Sequence, residues 1–286
     1  MDRPKPFLKW VGGKRQLLTQ LRAFVPPKLK RYFEPFLGGG ALFFDTLPKQ
    51  SVLSDVNAEL IDCYVAVRDH VTMLIEALEA HRYDEEHYYA VRDADLAHAP
   101  LVERAARTMF LNRTGFNGLY RVNRSGKFNV PFGRYTRPRI CNPGNLRACS
   151  AALANADLRV QDFATTCALA GKGDFVYLDP PYVPVSRTAA FTAYAKGGFG
   201  PDEQRRLSTT FGQLSDRGVV AVLSNSDVRE VRELYAAFEM TTVRASRAVN
   251  SDALGRGLVS EVVVSATRKA AAEPASAVVQ PRKARR

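Results

Sequence analysis

The residues with the clearest chemical purpose are Asp179-Pro180-Pro181-Tyr182, which close the apolar run Phe175 to Leu178. At average composition this tetrapeptide arises by chance in roughly one chain per thousand of this length. An exocyclic amine on a purine is a poor nucleophile, because its lone pair is conjugated with the ring. A carboxylate (Asp179) and a backbone carbonyl (Pro180) that accept its two hydrogens favour a more tetrahedral nitrogen, with the lone pair aimed outward. Pro180 and Pro181 fix φ and hold that carbonyl in place. The Tyr182 ring supplies a stacking surface. Such a clamp works by positioning and electrostatics.

Two further acids stand where strands are predicted to end. RYFEPF (Arg31 to Phe36) reads as a strand that carries Glu34, Pro35 and Phe36 into Gly38-Gly39-Gly40, and SVLSD ends on Asp55. A glycine run lets a ligand approach the backbone closely, and the helix that follows offers its N-terminal donors. Asp55 lies 17 residues after Gly38, a position suited to an acid receiving ribose hydroxyls. Near the N-terminus FLKWVGGK sets Trp10, the chain's single tryptophan, among glycines and Lys14, favouring an exposed or ligand-facing ring over a core one.

These side chains need a scaffold. Beyond Asp55, helical spacing of apolar residues runs from Glu59 to about His81, and another helix is expected over Glu103 to Arg113. Val122 and Phe128 flank NRSGK, predicting a hairpin turning at Ser125-Gly126. After Pro143 the helix–strand alternation resumes: a helix near Asn145 to Asn155, the strands LRVQD and FVYLD, a helix from Pro201 to Asp216, and the strand Val219 to Asn225. A helix capped by Ser226 or Asp227 and running to Phe238 follows, then two paired C-terminal strands. Strands alternating with helices imply an α/β fold around an open, mostly parallel sheet, whose ligands sit at the carboxyl ends of its strands. The predicted domains are a main one (1–56 and 144–267), an inserted, mainly helical one carrying the hairpin (57–143), and a disordered basic tail (268–286).

Composition narrows the partners. The chain has 286 residues and a net charge of +12. From Arg268 onward six basic residues face one acid, so the rest keeps a surplus of seven. A basic fold suits a polyanion, nucleic acid before membrane. No apolar run approaches a bilayer span. The N-terminus lacks an apolar signal core and the four cysteines show no paired spacing. A cytoplasmic protein with reduced thiols is the expectation. The four histidines lack ligand spacing, and no metal site is expected.

KWVGGK, FEPFLGGGALF, LSDVN, FNGLYRVN with FNVPFGRY, DPPY and AFTAY are, in this order, similar to the successive motifs of Dam-type DNA adenine methyltransferases, over residues 7–265. The resemblance implies a Rossmann-like methyltransferase sheet with an inserted target-recognition domain, and methyl transfer from S-adenosyl-L-methionine to adenine N6 in double-stranded DNA, by base flipping, at GATC. It places Trp10, Lys14, Glu34, Pro35, Phe36, Gly38, Gly39, Gly40, Asp55, Asp162, Phe163 and Asp179 at the cofactor. Asp179, Pro180, Pro181 and Tyr182 would hold the target base. Asn117, Leu119, Arg121, Asn123, Arg134 and Tyr135 would contact DNA, with Phe191, Thr192 and Tyr194 ordering over the site. Arg121 would read guanine, which arginine's bidentate match to O6 and N7 also favours. Phe116 departs from the family pattern, where tyrosine is expected, and so lacks a hydroxyl. A monomer in solution is expected, with room for more than one copy on DNA. The alternatives are a methyltransferase for an RNA adenine or a protein amide, since the clamp suits planar amines generally, and a DNA-binding protein without activity.

Overall fold

The structure, a computed structural model, describes residues 3–12, 14, 17–184, 198–246 and 258–268. Seven strands form one sheet: β1 (Tyr32–Glu34), β2 (Ser51–Asp55), β3 (Ala156–Val160), β4 (Phe175–Leu178), β5 (Val220–Ser226), β6 (Phe238–Ser246) and β7 (Leu258–Arg268), in the order β3-β2-β1-β4-β5-β7-β6. The first five are parallel; β7 runs antiparallel between β5 and β6. A mostly parallel sheet with helices on both faces is the Rossmann-like arrangement that the resemblance implies. Strands covered on both faces read as continuous apolar runs, and β4 is buried at every position.

Period-two alternation sends successive side chains to opposite faces, and each face builds its own core. Tyr32, Leu53, Phe175, Tyr177 and Val222 join α2 (Ala41–Thr46), α3 (Ala58–Asp69), α4 (Val71–Glu79), α6 (Leu101–Thr114) and α7 (Pro143–Leu153). Phe33, Val176, Leu178, Ala221 and Leu223 pack instead against α8 (Phe163–Ala168), α9 (Pro201–Asp216) and α10 (Arg229–Leu234). The remaining helices are α1 (Leu18–Arg22) and α5 (Glu85–Asp93). A smaller third core gathers Tyr88 of α5, Phe110 and Leu111 of α6, and Tyr120, Phe128 and Val130.

Three local expectations change. The helical stretch from Glu59 breaks at His70, which ends α3 and begins α4. The expected hairpin is reduced to isolated bridges, Val122↔Phe128 and Gly115↔Phe132, because tight turns and polar side chains take up the backbone between them. The helix after β5 starts only at Arg229, with Val228 and no side-chain cap before it, and stops at Leu234. Asp227 is instead drawn to Arg232, at 2.6 Å.

The strand order reverses around β1: the chain steps outward to β2 and β3, then returns to β4 on the other side. Ligands of open parallel sheets bind in the crevice that such a reversal opens. Glu34 ends β1 and Asp179 follows β4, so both acids stand at this point.

Candidate active site

Asp179 is held through one oxygen. The Ser224 hydroxyl donates to its Oδ1 at 2.9 Å, and the Lys14 ammonium lies 3.0 Å from the same atom. Lys14 is buried, donates to the Gly12 carbonyl at 2.7 Å, and sits 4.3 Å over the Tyr182 ring. The Tyr182 hydroxyl donates to Glu261 of β7 at 2.8 Å. Acid, cation and ring thus meet in one small volume.

The loop around them is tied to the end of β5. The Gln204 amide donates to the Pro181 carbonyl at 2.9 Å, Asn225 accepts from the Val183 amide at 3.1 Å, and the Ser226 hydroxyl donates to the Val183 carbonyl at 2.7 Å. Among the described residues no donor is directed at the Pro180 carbonyl.

Across the crevice Glu34 is almost completely buried and accepts from the Tyr32 hydroxyl at 2.7 Å. Burial, reinforced by the nearby Asp179 charge, pushes its carboxyl up to about 8 against that hydrogen bond. The glycine run that follows is shaped by contact. Gly38 has φ 46°, and a Cβ there would stand 2.8 Å from Trp10 Cδ1; at Gly40, φ 61°, it would meet the Tyr64 hydroxyl at 2.8 Å. Tyr64 also donates to the Gly38 carbonyl at 2.9 Å. Asp55 accepts from the amides of Gly38 (3.2 Å) and Asn57 (3.0 Å), yet burial still pushes it up to about 6. Trp10 stacks on Tyr120 with centroids 5.2 Å apart, so its ring bridges the glycine loop and the third core.

At the end of β3, Asp162 caps α8, accepting from the Ala164 amide at 2.9 Å. Arg206 grips it with both prongs, at 2.8 and 2.6 Å, and holds its carboxyl below the usual range. The Arg206 guanidinium also lies 4.0 Å over the Phe163 ring, which packs on Phe36 (5.2 Å) and Phe199 (5.9 Å). The result is an aromatic shelf with a charged rim.

The expected DNA-contacting residues lie along 115–135. Asn117 has φ 54° inside a short 3-10 turn and is exposed beside Phe116, itself 50% exposed. Leu119 is half-buried against the third core. Arg121 is exposed, and Asn129 holds it at Nε (2.8 Å) and Nη2 (3.0 Å), leaving the outer edge of the fork open. The Asn123 side chain turns inward, accepting from the amides of Ser125 and Lys127 at 2.9 and 3.0 Å. Tyr135 donates to the Gly115 carbonyl at 3.0 Å under the Lys9 ammonium, 4.5 Å from its ring; Arg134 is exposed.

The description "D12 class N6 adenine-specific DNA methyltransferase" matches residues 10–249. The chain belongs to this family. It is 42% identical over 268 residues to the Type II methyltransferase M1.LlaDCHI of Lactococcus lactis subsp. cremoris, covering 91% of this chain and 94% of that one. To the Type II methyltransferase M.MjaIII of Methanocaldococcus jannaschii it is 41% identical over 268 residues, covering 86% and 93%. The DNA adenine methylase of Escherichia coli (strain K12) is 34% identical over 267 residues, covering 92% and 95%. The chain is thus an adenine-specific DNA methyltransferase.

In this methyltransferase several site-lining residues escaped sequence reasoning: Lys9, Ser224, Asn225, Ser226, Glu261, Arg206 and Phe199. The run Ser224-Asn225-Ser226 carried a signal, three buried polar residues at the end of an apolar strand. Glu261 and Arg206 carried none, since each reaches the site only through its neighbours in the fold. Phe191, Thr192, Tyr194, Gly13, the segment Asn250 to Gly257 and the tail beyond Arg268 lie outside the described residues. Among the described residues no group of three or more His, Cys, Asp or Glu is placed to hold a metal ion, and no helix is long and apolar enough to cross a membrane.

Proposed function

We propose that this methyltransferase takes its methyl group from S-adenosyl-L-methionine and places it on adenine within GATC in duplex DNA, after flipping the base out of the stack. The observation that carries the reading is the Asp179 clamp at the switch point, whose carboxylate is fixed through Oδ1 beside the Tyr182 ring and a Pro180 carbonyl that no described residue engages.

The residues around the crevice fit such a cofactor. Gly38 and Gly40 hold left-handed φ values that keep the loop flat against Trp10 and Tyr64, leaving its backbone approachable. Asp55 suits ribose hydroxyls. The shelf of Phe36, Phe163 and Phe199, with Asp162 at its rim, suits a planar base and its exocyclic amine. The cofactor supplies a methyl group on a sulfonium, which the amine displaces with the bonding pair left on sulfur. Asp179 and the Pro180 carbonyl accept the two amine hydrogens, and Tyr182 stacks on the base. The surplus proton then leaves the nitrogen for solvent. The Lys14 ammonium offsets the charge of the Asp179 carboxylate.

The inserted segment, 57–143, supplies recognition. Arg121 reads a guanine with the open edge of its fork. Asn117, Leu119, Arg134, Tyr135 and the adjacent Lys9 line the same approach, while Asn123 shapes the turn that presents them. Plasmid incubated with labelled cofactor, then digested with nucleases that distinguish methylated from unmethylated GATC, tests the whole reading. Label incorporation with protection confined to GATC is expected. Label at other adenines would overturn the site, and no label would overturn the donor.

A further inference from the structure

Ser224, Asn225 and Ser226 close β5 and supply no acceptor to the amine. They are 0%, 0% and 4% exposed, all polar, at the end of a strand whose preceding residues are apolar. Buried hydroxyls and amides persist only where their hydrogen bonds are met, so the partners of these three show what the triplet does. All three reach the Asp179 to Val183 loop. Ser224 donates to Asp179 Oδ1 (2.9 Å), Asn225 takes the Val183 amide (3.1 Å), and Ser226 donates to the Val183 carbonyl (2.7 Å). Gln204 extends the lattice, joining the Pro181 carbonyl at 2.9 Å to the Asn225 amide at 3.3 Å.

Donor bookkeeping fixes the direction of the innermost contact. A serine hydroxyl carries one proton. Spent on the Asp179 carboxylate, it leaves Ser224 Oγ as acceptor toward the Tyr177 hydroxyl, 3.0 Å away and 2% exposed. The chain of donation therefore runs Tyr177 to Ser224 to Asp179. Burial pushes the Tyr177 phenol well above its ordinary range, consistent with a proton that stays. Both contacts to Asp179, from Ser224 and from Lys14, fall on Oδ1. Among the described residues none falls on Oδ2. The carbonyls of Pro181 and Val183 are likewise taken, and among the described residues nothing takes that of Pro180.

We propose that Tyr177 and Ser224 are positioning residues for methyl transfer: their relay saturates Oδ1 of Asp179 and so reserves Oδ2, together with the Pro180 carbonyl, for the two hydrogens of the adenine amine. The lattice occupies Asp179 Oδ1 and the Pro181 and Val183 carbonyls, which would otherwise compete for the amine. This rests on the clamp reading of Asp179. Lys14, Tyr182, and Tyr32 and Glu34 of β1 also lie close to Asp179.

Single-turnover methylation of a short duplex, with DNA binding measured alongside, tests the relay. Ser224→Ala is expected to slow the chemical step roughly 10- to 100-fold, the span of one hydrogen bond to a charged group. DNA affinity should stay within about two-fold, because the change touches no DNA-facing group. The loss should fall on the rate at saturating DNA and cofactor and leave their half-saturation concentrations nearly unchanged. Tyr177→Phe leaves Ser224 in place but unanchored, and a smaller loss is expected, about three- to ten-fold. The double variant should be no slower than Ser224→Ala alone, because the two act in series. A lowered melting temperature with a wild-type rate per active site would make the triplet merely structural and overturn the proposal. If Ser224→Ala does not fold, a wild-type rate in Tyr177→Phe overturns it equally. Full activity of Asp179→Ala would instead sink the clamp reading itself. An inactive Asp179→Ala beside a wild-type Ser224→Ala would sink the relay alone.

Discussion

The proposed clamp and the proposed reading segment are built on opposite plans. Around Asp179 the polar contacts converge from β5, β7, α9 and Lys14 onto one loop of five residues, Asp179 to Val183, and most donors there are buried. Along 115–135, Tyr83, Tyr88 and Glu59 tie the backbone and Tyr120 to the rest of the inserted segment. The side chains of Arg121, Asn123 and Tyr135 are held within 115–135 itself, by Asn129, by the turn at Ser125 to Lys127 and by the Gly115 carbonyl. Their outer faces are exposed. Chemistry that depends on where an amine is held needs a site fixed before the substrate arrives. Reading a groove needs side chains that can adjust to it, on a base that does not move. The third core of Tyr88, Phe110, Tyr120 and Phe128 is that base.

The sharpest break between the two regions is expected from Asp179→Ala. Loss of the amine acceptor should cut transfer by at least about a thousand-fold, while specific DNA binding survives, because no reading residue is touched. A parallel collapse of binding would mean that the regions are not separable.

Glu34 gives a second contrast, in stability. Its folded carboxyl, pushed up to about 8 from an ordinary 4.5, keeps a proton that the unfolded chain has lost across that interval. The folded state therefore binds more protons there, and stability falls as pH rises from about 4.5 toward about 8. Glu34→Gln removes the titrating group and with it this slope. Denaturant unfolding should show the variant gaining on the parent by up to about 4 kcal/mol between about pH 5 and about pH 8, an upper bound for a fully dry site. Equal slopes in both proteins would show water reaching the crevice floor. Asp55 titrates in both chains and cancels.

Arg121→Ala acts on the other region. It should cost roughly 1–3 kcal/mol of discrimination at one guanine and leave the single-turnover rate on the cognate duplex, at saturation, nearly unchanged. Competition between duplexes that differ only at that base pair measures it. An unchanged preference would remove Arg121 from the reading role.

The same contrast explains what the sequence made legible. Asp179 to Tyr182, Glu34, Gly38 to Gly40 and Asp55 are local signals, because strand, turn and ligand group occur within a few consecutive residues. The parallel sheet was legible for a related reason: burial on both faces leaves apolar runs such as FVYL and VAVL. Glu261 and Arg206 were not legible, since one reaches Tyr182 from β7 and the other reaches Asp162 from α9, 44 residues away. Asn123 was legible as a polar loop residue but not as a turn-former, because its role depends on which way the amide oxygen faces. The break at His70 carries neither glycine nor proline, so helical periodicity alone runs through it.

The smallest expected effect concerns the basic tail. Residues 269–286 hold Lys269, Arg282, Lys283, Arg285 and Arg286 against Glu273 alone. Phosphate attraction of this kind is indifferent to sequence and screened by salt. Deleting the tail should therefore flatten the dependence of log K on log salt, by about 0.9 for each phosphate that the tail neutralises. Discrimination at GATC and the single-turnover rate should not move, because neither the reading segment nor the clamp has changed. An unaltered salt slope would deny the tail any part in DNA binding. A shift in sequence preference would be more damaging: it would mean that recognition is not confined to 115–135 and the adjoining Lys9, and that the line between a rigid clamp and an adaptable reader runs elsewhere in the chain.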